Sequence, residues 1–93
     1  MQIWKYSLNL TEGAQRDFEM PEGASFLHAH RQNGAVALWF MVDPQAEKET
    51  RSFALIGTGH NVPDELAPYY LGTTHFEDLG LVLHVFETTG AAG

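Results

Sequence analysis

Apolar and polar positions alternate along most of this chain. Over residues 3–8 the alternation puts Trp4 and Tyr6 on one side of a pleat, the two-residue period of a half-buried strand. Residues 15–20 repeat it, with Phe18 and Met20 inward and Asp17 and Glu19 outward. Residues 26–31 and 36–42 alternate on either side of Asn33-Gly34, a dipeptide suited to the two positive φ angles of a type I′ turn. Residues 50–56, 69–76 and 81–87 read as further strands, the first with Phe53 and Leu55 on one face and the second weakened by Gly72. Glu12-Gly13, Pro21-Glu22-Gly23, Asp43-Pro44, Gly57-Thr58-Gly59-His60 and Leu79-Gly80 punctuate them. Pro63-Asp64-Glu65-Leu66 reads as one helical turn with Pro63 near its start. The pattern predicts an all-β fold: a small single-domain antiparallel β-sandwich or barrel-like sheet of six to seven short strands. Residues 1–88 are expected to form the domain and residues 89–93 a flexible C-terminal tail.

The Asn-Gly loop also predicts a register. Gln32 pairs with Ala35 and Arg31 with Val36, so His28 stands opposite Trp39 and His30 opposite Ala37. One face then groups Leu27, Ala29, Val36, Leu38, Phe40 and Val42, an apolar set that predicts the core. The other groups Phe26, His28, His30, Ala37, Trp39 and Met41, neither plainly wet nor plainly dry.

Charge narrows the partners. Twelve acids against five Lys and Arg give a net charge of −7. No basic stripe is present, so direct binding to nucleic acid is not expected. Acidity serves solubility and also suits a partner with a basic surface. No apolar run approaches membrane-spanning length, no signal-peptide pattern opens the chain, and cysteine is absent. These features predict a cytoplasmic protein with no membrane association.

Candidate chemistry is sparse. His28-Ala29-His30 puts two imidazoles on one strand face, where they could share a metal ion if His60, His75 or His84 supplied a third ligand. Gly57-Thr58-Gly59-His60 could offer backbone N–H groups to an anion, or could simply be a tight bend. Asp78 with His75 and Glu87 with His84 are conceivable acid–base pairs of the kind chance supplies. No serine sits in a nucleophile elbow, so no catalytic residues and no cofactor are expected. Trp39, Tyr69 and Tyr70, the last two near Asp64 and Glu65, suit a protein contact, with one of the two tyrosines inward and one outward.

Taken as a set, several segments carry a resemblance. They are Ile3-Trp4-Lys5-Tyr6, Met20-Pro21-Glu22-Gly23-Ala24, Asn33-Gly34, Leu38-Trp39, Val42-Asp43-Pro44, Gly57-Thr58-Gly59-His60 and His84-Val85-Phe86-Glu87. The chain resembles, over residues 3–87, a family of small, mostly phage- and prophage-encoded proteins carried as a domain of unknown function. The resemblance implies a genomic setting rather than a mechanism, and it extends to His60 and His84. With the charge, it yields the leading expectation: a small acidic phage-type accessory protein that binds a host protein. The host protein would have a basic surface, and the role could be to inhibit a bacterial defence system in an anti-CRISPR-like manner. Its setting would be the cytoplasm of an infected or lysogenic bacterium. The alternatives are a small-ligand or nucleotide-binding protein using residues 57–60, a metal-dependent enzyme using His28 and His30, and a homo-oligomeric β module.

Overall fold

The computed structural model describes residues 1–10 and 14–89. Seven strands are present: β1 (Gln2–Asn9), β2 (Gln15–Pro21), β3 (Ser25–Gln32), β4 (Ala35–Val42), β5 (Lys48–Gly57), β6 (Tyr70–Phe76) and β7 (Leu81–Glu87). They form two antiparallel sheets, a three-stranded one ordered β1-β4-β3 and a four-stranded one ordered β2-β5-β7-β6. The chain crosses between sheets after β1, β2 and β4. Asp43 makes the crossing after β4: its carboxylate accepts from the Gln45 N–H at 3.0 Å and its carbonyl from the Ala46 N–H at 3.1 Å. The expected turn at Glu12-Gly13 lies outside the described residues.

The inward parities of the two sheets make one core. Leu8, Met20, Val36, Leu38, Phe40, Val42, Phe53, Phe76 and Val85 are buried there. Phe40 is its hub, with Phe26 at 5.5 Å and Tyr6 and Phe53 each at 5.8 Å between ring centroids. Two arginines close the interior at opposite ends of β3. Arg51, from β5, pairs with Glu87, donates to the Ala24 carbonyl and lies 5.2 Å over the Phe40 ring. Arg31, from β3, lies 4.4 Å over the Phe76 ring and pairs with Asp78. Each therefore ties one sheet to the other.

The predicted register holds from Gln32↔Ala35 to His28↔Trp39 and then shifts at a bulge. Phe26 pairs with Phe40 and Leu27 is left over. This exchanges their expected faces: Phe26 packs on the core and Leu27 is 44% exposed. The turn differs too. Asn33 has φ of 55°, but Gly34 does not share the positive region, so the loop is not type I′.

Gly72 sits at a second irregularity, in the pairing of β6 with β7 between Tyr70 and Gly72, and β6 packs there against β3 of the other sheet. A methyl group at Gly72 would lie 3.3 Å from the Ala29 Cβ. Gly72→Val should therefore destabilise the fold by about 1–3 kcal/mol through overpacking. Gly34→Ala, whose methyl meets nothing within 4 Å, is the control. Denaturant titration checks the pair, and equal midpoints would contradict the close approach.

The connections are short. The expected helical turn is a 3-10 helix at Asp64–Tyr69, and a second spans Glu77–Leu79 before Gly80 at φ 66°. Where the expected domain meets the expected tail, Thr88 N–H donates to the Ser52 carbonyl at 2.8 Å, and the Ser52 N–H donates to the hydroxyl of Thr89, the first tail residue, at 2.6 Å. The rest of that segment, residues 90–93, lies outside the described residues.

Candidate functional site: an acidic rim and a hydroxyl–imidazole chain

One of the two sheets holds no acid in its strands. Strands β1, β3 and β4 contain Lys5 and Arg31 but not one of the twelve acids. The other strands and the connections hold every acid, against Arg16, Lys48 and Arg51. Four exposed acids, Asp17, Glu19, Glu22 and Glu47, lie where β2 runs beside the start of β5, and Glu49 stands on the inward parity of β5 opposite Met20. Asp17 accepts from the Ser52 hydroxyl at 2.6 Å, and Glu19 accepts from the Thr50 hydroxyl. The Glu22 N–H donates to the Glu47 carbonyl at 2.8 Å, and the Gly23 N–H donates to Glu49 at 3.3 Å. These bonds hold the rim in place while the side chains of Asp17, Glu19, Glu22 and Glu47 stay exposed. Because β2 is an edge strand, its outward carboxylates also discourage edge-to-edge pairing.

The expected site residues fall in three places. Trp39 lies on the outer face of the three-stranded sheet beside His28, away from the others. Asp64, Glu65 and Tyr69 belong to the 3-10 helix that packs toward β7. Tyr69 and Tyr70 are both exposed, at 38% and 51%, which corrects the inward–outward expectation. The alternation fails because Tyr69 ends the 3-10 helix and Tyr70 begins the strand just before its bulge. Tyr70 stands edge-on to Phe86, with ring centroids 5.6 Å apart.

Gly57, Thr58, Gly59 and His60 form a tight bend with Gly59 at φ 89°. Two of its amides are engaged: Thr58 N–H donates to the Val82 carbonyl at 3.3 Å and His60 N–H to the Gly57 carbonyl at 3.1 Å. Those donors are spent within the protein, which leaves little of the anion cradle. The bend instead borders a groove of about 440 Å³, lined by Leu55, Ile56, Gly57, His60, Leu81 and Leu83 among others. The His60 ring covers Gly57, where a methyl would lie 3.3 Å from its Cδ2.

The bend is tied to β6 by groups that sequence reasoning did not assemble. His84 Nε2 is 2.8 Å from the Thr58 hydroxyl, His84 Nδ1 is 2.9 Å from the Thr73 hydroxyl, and Tyr70 OH bonds Thr73 in turn. A neutral imidazole has one donor and one acceptor nitrogen, so both are occupied in this chain. Outward parity on neighbouring strands, with Thr73 opposite His84, was the available signal.

The conceivable acid–base pairs do not form. Glu87 and His84 point to opposite faces of β7, and Glu87 pairs with Arg51 at 2.7 Å. Asp78 pairs with Arg31 instead of His75. That hydrogen bond, helped by the guanidinium charge, holds the Asp78 carboxyl below the usual carboxylate range. A carboxyl lowered on folding adds stability above its unfolded value, and loses it as pH falls through the folded one, below about pH 4. By NMR, Asp78 should titrate below an ordinary aspartate and move up in Arg31→Gln. An unchanged midpoint would contradict the pairing.

His28 and His30 are stacked, with ring centroids 6.0 Å apart, and no group of three His, Asp or Glu that could hold a metal occurs among the described residues. His60, His75 and His84 therefore do not complete a three-ligand catalytic site with them. Among the described residues, no helix is long and apolar enough to cross a membrane. No curated protein and no solved structure matches the chain. A family model described as a domain of unknown function (DUF7352) matches residues 1–92, and the chain belongs to that family.

Proposed function

We propose that this chain is a small acidic accessory protein that acts by binding a protein with a basic surface, and that the acidic rim of β2 and β5 makes the contact. The observation that carries the reading is the partition of charge. The exposed side chains of Asp17, Glu19, Glu22 and Glu47 border the β2–β5 edge while one whole sheet is free of acids. A fixed cluster of carboxylates speeds encounter with a basic patch, and its effect is strongest at low salt. The phage-type setting is part of the proposal and rests on the sequence resemblance alone. So do the cytoplasm of an infected or lysogenic host and the inhibition of a defence system.

Affinity capture from a bacterial host lysate, at low and high salt, tests the reading. A basic protein should be retained at low salt and released as salt rises. Recovery of no basic partner at low salt would overturn it.

A second reading has one observation in its favour, the groove beside Gly57 and His60. Its walls are mainly leucine and isoleucine, which suits a small apolar ligand with one polar end better than a nucleotide. Saturating ligand stabilises a folded protein, so a thermal-shift screen of such compounds should show a rise in Tm. A screen without any shift would remove this reading.

A further inference from the structure

No strand of the three-stranded sheet holds an acid, so two copies of this acidic chain can meet on its outer face without opposing strand carboxylates. Its outward positions include Ile3 and Lys5 from β1, Trp39 and Met41 from β4, and His28 and His30 from β3. His28 and His30 are exposed, and their rings are 18° from parallel. Trp39 continues the row, its ring centroid 6.5 Å from that of His28. Both histidine side chains are exposed, so an ion can approach the two imidazoles from solvent.

We propose that His28 and His30 form half of a site for a divalent ion of the copper, nickel and zinc class, and that a second copy of the chain supplies the other half. Neutral imidazole suits these metals, whereas magnesium and calcium favour carboxylate oxygens, which the strands of this sheet lack. Two imidazoles leave a tetrahedral or square-planar ion half coordinated. A two-fold axis through the ion brings the same pair from the second copy and completes four nitrogen ligands. The charge partition favours this approach, because no strand of this sheet holds an acid. The inference is independent of the basic partner proposed above, which uses the other sheet.

Untagged protein titrated with copper(II), nickel(II) or zinc(II) salts alone tests it. The mass in solution should double at one ion per two chains, in the affinity order copper, then nickel and zinc. Copper should quench Trp39 fluorescence, while Trp39→Phe should lose most of that quenching but keep the mass change. His28→Gln and His30→Gln should each weaken binding about tenfold or more, with circular dichroism confirming the fold, and His75→Gln should bind as the parent does. No mass change, saturation at one ion per chain without dimers, or dimers that persist in both His28→Gln and His30→Gln would overturn the proposal. None of these outcomes bears on capture of the basic partner.

Discussion

Replacing Phe40 by alanine is expected to cost about 3–5 kcal/mol, a large share of the roughly 5–15 kcal/mol that holds such a domain together. Phe40 is fully buried and touches rings from both sheets: Tyr6 and Phe26 from its own, Phe53 from the other. Its loss leaves a cavity that Arg51, already packed on the ring, cannot fill without leaving Glu87. Leu27→Ala is the informative comparison. Simple alternation ranks Leu27 with the core, yet the bulge leaves it 44% exposed. Its truncation should fall within about 0.5 kcal/mol, while Phe26→Ala should cost several times more. Urea denaturation of the three variants gives the ranking. A Leu27→Ala loss as large as that of Phe26→Ala would mean that the bulge is misplaced.

The second large effect concerns Arg51 and Glu87. Their side chains are only 15% and 16% exposed, and two nearly parallel bonds of 2.7 and 2.8 Å join them. Glu87→Gln leaves a guanidinium close to the core without its counter-charge. Breaking a buried pair costs about 3–5 kcal/mol, and residual solvent contact here reduces that to about 2–3 kcal/mol. The double variant Arg51→Met/Glu87→Leu should recover much of the loss, because it removes both desolvated charges together. Strictly additive losses would show that the two residues act separately.

The alternation of residues 3–8, 15–20 and 50–56 was legible because each strand has one dry face. The hairpin register was legible as far as His28 for the same reason. The bulge was not, since Phe26 and Leu27 are both apolar and either fits inward by pattern alone. Strand order was also hidden: β2 pairs with β5, and β1 with β4, through contacts that no local signal encodes. The acid partition could have been read directly from the strands, and it is the feature that turns an unremarkable net charge into a surface. The Tyr70–Thr73–His84–Thr58 chain needed the β6–β7 register, which depends on the irregularity at Gly72.

The most direct test of the binding account compares capture by three forms of the chain at low salt. In the first variant Asp17→Asn, Glu19→Gln, Glu22→Gln and Glu47→Gln remove the rim's charge but keep its hydrogen-bond acceptors. In the second, Lys5→Gln alters only the acid-free sheet. The account predicts that the rim variant, still folded by circular dichroism, loses the basic partner while Lys5→Gln and the parent retain it equally. Retention by the rim variant at the parent's level would contradict it.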